Sequence, residues 1–264
     1  MSNTFVQTKS LGLALGGGGA RGIAHIGIIK RLVELGFSID YISGTSAGAI
    51  AGGFYASGME LNQMVDVCKH LTWRNFAKFK IRFTKGLFSS EPIQKLVEKH
   101  IGKIKFKDAK IPFTALVTDI LSGEGVILND PELCMSQAIR ASSSFPGVFE
   151  PVNLNGRYYF DGGATFHIPC SVVKKMGADV VIGVDVIPQV TLKTVPHFMP
   201  ALIDRGLDCL LNSIHEISYK SGDIILKPVK ERVSSFNFKR SAYLIEMGEQ
   251  VVDDNLDQIK SLLS

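Results

Sequence analysis

A chain of 264 residues with 45% hydrophobic and 20% charged side chains can bury a sizeable core and is too apolar to be disordered. Its net charge of +4 argues against a dedicated nucleic-acid binder but leaves room for a local basic patch that meets anionic lipid. Four widely spaced cysteines, Cys68, Cys134, Cys170 and Cys209, contain no C-x-x-C pair, so neither a zinc site nor a disulfide framework is expected, and a reducing compartment is.

Residues 1–10 read as a short polar tail and residues 11–264 as one domain, because no Pro/Ser-rich linker divides them. The first apolar run, Leu11 to Leu15, is too short for a signal-peptide core or a membrane span, and a cytoplasmic protein is expected. That run reads as a buried strand. It feeds Gly16-Gly17-Gly18-Gly19-Ala20-Arg21-Gly22 and a helix from Ile23 to Leu35 that Gly36 stops. A glycine loop at a helix N-terminus suits an anion, because backbone N–H groups approach it closely and the helix dipole adds to them. Gly17, Gly19 and Gly22 satisfy G-x-G-x-x-G, which brings a dinucleotide into consideration. The second strand, about Ser38 to Ser43, carries its acid Asp40 at the start and ends in Gly44-Thr45-Ser46, so the ribose contact is missing. A Walker loop fails too, since no G-K-[ST] follows.

Gly44-Thr45-Ser46-Ala47-Gly48 lies between that strand and a small-residue helix, Ala47 to Tyr55. Strand, sharp turn and helix around G-x-S-x-G make a nucleophile elbow with Ser46 as the exposed hydroxyl, although a plain glycine turn would read the same way. The upstream glycine loop then becomes an oxyanion hole for Ser46, with Arg21 either ion-paired there or polarising the loop. His25, in the first helical turn, is expected to pack or cap.

A helix follows from Leu61 to His70. Trp73 to Lys85 then alternates cations with aromatics: in an extended chain Lys78, Lys80 and Arg82 oppose Phe79, Ile81 and Phe83. This is either a half-buried segment with a solvated basic face or a flap that meets lipid; nucleic-acid stacking fits the modest charge poorly. Ser89 or Ser90 is placed to cap a helix with Pro92 in its first turn. Ile111 to Ile120 and Gly125 to Leu128 read as strands, Cys134 to Ala141 as a helix, and Val152 to Leu154 with Tyr158 to Phe160 as a hairpin turning on Asn155-Gly156. The hairpin delivers Asp161-Gly162-Gly163, an acid at a strand end for which an Asx-turn is the structural alternative. Ala178 to Val186 reads as a central strand ending in a structural Asp185, Ala201 to Tyr219 as a helix, Asp223 to Val229 as a late strand and Ser241 to Leu263 as a terminal helix. Alternating strands and helices imply a three-layer α/β/α domain around a mostly parallel sheet.

A Ser-His-Asp hydrolase would want its histidine in a late loop after the acid. Of His25, His70, His100, His167, His197 and His215, neither His197 nor His215 lies at an evident strand end, and His167 is the least poor candidate. The early elbow also departs from the usual order of such hydrolases.

Three spaced motifs, Gly16 to Gly22, Gly44 to Gly48 and Asp161 to Gly163, together resemble the patatin-like phospholipase family. The resemblance extends through Thr118-Asp119 with Ser122-Gly123-Glu124, Arg140-Ala141-Ser142 with Phe145-Pro146-Gly147, and Gly177-Ala178-Asp179. It implies a Ser-Asp dyad, with Ser46 as nucleophile, Asp161 as base and the amides of Gly17, Gly18 and Gly19 as oxyanion hole. It further implies hydrolysis of lipid acyl esters without a catalytic metal; no cofactor is expected, and the protein is expected in the cytoplasm or peripherally at the inner membrane. One departure stands out: where the family commonly carries two asparagines before a proline, this chain reads Thr165-Phe166-His167-Ile168-Pro169. A weakly catalytic protein that keeps the scaffold for regulation or membrane binding is the competing expectation.

Overall fold

The computed structural model describes residues 6–79 and 86–264. In chain order its elements are β1 (Leu11–Leu15), α1 (Ala24–Glu34), β2 (Tyr41–Thr45), α2 (Ala47–Ala56), α3 (Leu61–Lys69), β3 (Lys78–Phe79), β4 (Phe88–Ser89) and α4 (Glu91–Ile101). Then come β5 (Phe113–Asp119), β6 (Gly125–Leu128), α5 (Met135–Ser142), β7 (Val152–Leu154), β8 (Arg157–Asp161), α6 (Cys170–Met176) and β9 (Val180–Val184). The chain closes with α7 (Met199–Ser213), α8 (His215–Tyr219), β10 (Ile224–Leu226), α9 (Ser241–Asp254) and α10 (Leu256–Leu263).

The main sheet runs β10-β9-β1-β2-β5-β8-β7, with β6 paired to β5. β10, β9, β1, β2 and β5 are mutually parallel, whereas β6, β7 and β8 join antiparallel. Strict alternation along β1 divides the core. Leu11, Leu13 and Leu15 enter the large cluster with α1, α2 and α9, while Ala14 faces a small cluster with Val173 of α6. A Cβ on Gly12 would lie 2.1 Å from Val173 Cγ1, so the second helical layer is close-set and thin. The result is the expected three-layer α/β/α arrangement with a mostly parallel sheet.

Several expectations shift by local chemistry. The second strand runs Tyr41–Thr45, later than expected, because Gly44 must pair with Leu15 to align with β1. Asp40 lies at the opposite end of that strand from the glycine loop, where its Oδ2 accepts the Leu11 N–H at 2.7 Å. The long helix expected over 201–219 divides into α7 and α8, and the terminal helix into α9 and α10 at Asn255, whose Nδ2 donates to the Val251 carbonyl at 2.7 Å. Of the two serines before α4, Ser89 Oγ accepts the Glu91 N–H, while Ser90 Oγ is held by Arg140 and Ser144 instead. The hairpin forms as expected on Asn155 and Gly156, both with positive φ (51° and 87°).

Candidate active site

Both motif strands end at the same place because of β5. Its residues 115–116 pair with β2 and β6 and its residues 117–118 with β8 and β6, so β2 and β8 share one edge of β5 in succession. Thr45 faces Leu116 and Asp161 faces Val117, the next position along. The residue after Thr45 is therefore delivered beside Asp161.

Ser46 leaves β2 with φ 54° and ψ −120° and starts α2. A non-glycine residue there carries steric strain, and it persists only because its surroundings hold it. Gly48 permits the turn: a Cβ on it would lie 2.1 Å from the Leu15 carbonyl oxygen, and one on Gly44 would lie 2.5 Å from the Gly48 carbonyl carbon. The end of α5 supplies the clamp. Ser46 N–H donates to Ser142 Oγ at 2.9 Å, Ser143 Oγ donates to the Ser46 carbonyl at 3.3 Å, and Asp161 N–H donates to the Ser144 carbonyl at 3.0 Å. Thr45 Oγ1 reaches the Phe166 carbonyl at 2.8 Å, tying the elbow to the loop after β8.

Asp161 is buried, and its Oδ1 accepts the Gly163 N–H at 2.8 Å, so the Asx-turn forms as well. Burial pushes its carboxyl up to about 6, against the opposing pull of the Ser46 hydroxyl, the Gly163 amide and the His167 ring. His167 is fully buried with Nε2 3.5 Å from Asp185 Oδ1, an ion-pair distance too long for a well-formed hydrogen bond. Burial alone would raise the Asp185 carboxyl; His167, the Tyr219 hydroxyl and the Ile187 amide outweigh it and hold the group at about 2.

The glycine loop lies opposite. Among the described hydrogen bonds none has the N–H of Gly17, Gly18 or Gly19 as donor, and a Cβ on Gly17 would lie 3.3 Å from Ser46 Cβ. His25, buried and held down to about 4 by burial, sets its Nε2 2.8 Å from the Gly16 carbonyl and supports the loop as a neutral donor. Gly22 lets the loop's 3-10 turn touch α2, since a Cβ there would meet Ala47 Cβ at 2.3 Å. Arg21 is ion-paired: its Nε donates to the Gly18 carbonyl at 3.2 Å and its Nη2 lies 2.8 Å from Asp208 and 3.8 Å from Asp204, both on α7. Asp204 also accepts from the Ser235 hydroxyl, and the Ser235 carbonyl accepts the Ala20 N–H at 2.7 Å.

Gly17, Gly18, Gly19, Ser46, Asp161 and His167 all line one cavity of about 130 Å³. Apart from Arg21, Ser143 and Ser235 its remaining wall is mostly apolar, built by Ile50, Trp73, Phe76, Phe149, Leu207 and Leu211 among others. Trp73 stacks on Phe149 and meets Phe88 and Phe236 edge-on; Phe76 stacks on Phe238 at 4.7 Å. These two rings of the Trp73 to Lys85 segment face the cavity, Lys78 is exposed, and Lys80 to Lys85 lie outside the described residues. Among the described residues no cluster of three His, Cys, Asp or Glu side chains could hold a metal ion. The roles of Ser142, Ser143 and α7 were not anticipated, whereas His25 packs as expected. Only the Arg140-Ala141-Ser142 motif hinted at the clamp.

The central sheet, with its strained serine turn between two helical layers, defines an α/β protein of recognisable type. Residues 13–174 match the family described as patatin-like phospholipase, and the chain belongs to that family. An NTE family protein of Mycobacterium tuberculosis is 37% identical over 180 residues, 67% of this chain and 49% of that protein. A lysophospholipase of Neurospora crassa is 33% identical over 183 residues, 67% of this chain and 12% of that protein. The chain thus spans about half the length of the mycobacterial relative and far less of the fungal one. Among solved structures, VipD from Legionella pneumophila shares the fold with a TM-score of 0.58 at 15% identity, over 96% of this chain and 67% of that one. The type III effector protein ExoU does so at 0.53 and 15%, over 96% and 54%.

Proposed function

We propose that residues 11–264 form a single serine hydrolase domain that cleaves carboxylic acyl esters of lysophospholipids, phospholipids or related lipids. The observation that carries this reading is the convergence of a strained Ser46 and a buried Asp161 on one apolar cavity. As Ser46 Oγ attacks the ester carbonyl, its proton passes to the Asp161 carboxylate. The carbonyl oxygen becomes an oxyanion against the Gly17, Gly18 and Gly19 amides, where one such donor is worth about 3 kcal/mol. Collapse breaks the carbon–oxygen bond to the alcohol, which leaves with the proton from Asp161. Water then gives a proton to Asp161 and attacks the acyl-Ser46 ester; the fatty acid departs and the proton returns to Ser46 Oγ. A carboxyl raised to about 6 is a stronger base than an ordinary aspartate yet ionised at neutral pH. The apolar wall suits an acyl chain, and the family together with a relative named lysophospholipase supports the substrate class.

The scheme uses no cofactor, and the same reading assigns the protein to the cytoplasm with peripheral membrane contact; its free cysteines Cys68, Cys134, Cys170 and Cys209 support a reducing compartment. Among the described residues no helix is long and apolar enough to cross a membrane. Ser46→Ala and Asp161→Asn are each expected to lower lysophosphatidylcholine hydrolysis by about 10³-fold or more, and Ser46→Ala to abolish labelling by a fluorophosphonate. Labelling that persists in Ser46→Ala would overturn the assignment.

A further inference from the structure

α7 is apolar on two sides. Leu207 and Leu211 turn into the catalytic cavity, and Leu211 Cδ2 comes within 4.0 Å of where a Cβ on Gly163 would stand. On the adjoining, outward face Met199, Ile203 and Leu210 recur at helical spacing, flanked by Phe198 and Leu202, and Ile217 on α8 is apolar and exposed as well. All six are exposed, Met199 at 72%, Leu210 at 66% and Ile217 at 81%. Scattered apolar side chains are ordinary on a surface; a stripe along one helix that also walls the active site is not.

The charges sort in the same sense. Both acids of α7, Asp204 and Asp208, are buried against Arg21. The partly exposed Arg205 stays on the flank of the stripe, and exposed Lys193 and Lys220 stand in the chain before α7 and just after α8. An apolar stripe with a cationic flank matches the interface of an anionic bilayer, where rings and aliphatic chains enter the acyl boundary and ammonium and guanidinium groups meet headgroup phosphates.

We propose that the outward face of α7 and α8 is the surface by which this protein docks on an anionic lipid bilayer, bringing the cavity to its substrate. The proposal rests on reading the cavity as a lipid acyl-ester site. A bilayer fits this face better than a second copy of the chain. The same helix forms the cavity wall, so a protein seated there would obstruct the approach of a water-insoluble ester, whereas a bilayer supplies it. The device differs from a flap at Trp73 to Lys85, one of the two readings that segment allows, whose Trp73 and Phe76 rings line the cavity wall.

Cys209 provides a native reporter, since it is exposed on α7 while Cys68 and Cys170 are buried. In a Cys134→Ser background of the full chain, a polarity-sensitive dye on Cys209 is expected to shift to the blue with phosphatidylcholine vesicles containing phosphatidylglycerol, and much less with phosphatidylcholine alone. Leu210→Glu with Ile217→Glu is expected to cut vesicle co-sedimentation by about tenfold, because carboxylates replace side chains that enter the acyl boundary. Hydrolysis of a monomeric short-chain ester should survive in this variant. No blue shift, undiminished co-sedimentation of the double variant, or a wild-type dimer that the variant splits in gel filtration each overturns the docking face. If the variant does not fold, the dye on the otherwise unaltered helix still decides. Ser46→Ala should bind vesicles as the wild type does. Vesicle binding without ester hydrolysis would therefore reject the hydrolase reading, and hydrolysis without binding would reject this one.

Discussion

Asp161 carries a cost that its chemistry explains. In the unfolded chain its carboxyl releases its proton near 3.8, but in the fold it holds the proton up to about 6. Between these values the folded state binds more protons, so stability falls as pH rises through the window, by about 3 kcal/mol for about two pH units. Asp161→Asn removes this titration. The variant is expected to melt at a higher temperature than the wild type above about pH 6, the gap closing as pH falls toward 4, while activity is lost throughout. A melting temperature that drops uniformly at all pH values would contradict a buried carboxylate held for function. Wild-type activity should decline as pH falls through about 6, as the base takes its proton.

His167 stands where the family's asparagines commonly would, buried beside Asp161 and 3.5 Å from Asp185. In the proposed scheme it acts on Asp161 only through charge and position, as a positioning residue. His167→Ala should retain partial hydrolysis where Asp161→Asn retains almost none, and should move the acid limb of the pH profile upward, because the ring favours the ionised Asp161. A lower rate with an unmoved limb would leave His167 a merely structural role.

At the scale of elements, three segments decide the site. β5 lends one edge in turn to β2 and β8, the end of α5 and the two residues after it present three serines that grip the backbone of both Ser46 and Asp161, and α7 is bolted to the glycine loop through Arg21. The Arg21 bond to the Gly18 carbonyl makes that bolt part of the loop's geometry. Burial pushes the Asp208 carboxyl up and the Arg21 guanidinium pulls it down, so the pair is held together in low dielectric. Removing one partner of a buried pair costs about 3 kcal/mol or more, and Asp204 at 3.8 Å compensates only in part. Asp208→Ala is therefore expected to lower stability by up to about 3 kcal/mol in chemical denaturation. It should also lower kcat more than it raises KM, since in the proposed scheme the glycine amides act on the transition state and not on the bound ester. A pure KM effect would detach α7 from the loop.

For the molecule as a whole, local patterns were readable wherever short-range chemistry sets them. The run Leu11–Leu15 formed the strand its residues indicated, Asn155-Gly156 made the hairpin, and the glycine loop, the serine elbow and the Asp161 turn were all visible from residue type and spacing. The limits of elements were less so, as with β2 and the divided terminal helix, because they depend on which strand or carbonyl lies alongside. The sequence by itself thus determined an α/β chain with its family, its strained serine and its acid at a strand end. Only the tertiary structure decided that Asp161 lands one β5 position beyond Thr45, that Trp73 and Phe76 turn inward, and that α7 leaves an apolar face outward. Motif chemistry is encoded in neighbours along the chain, whereas proximity, burial and exposed faces arise from contacts between segments separated by tens of residues or more.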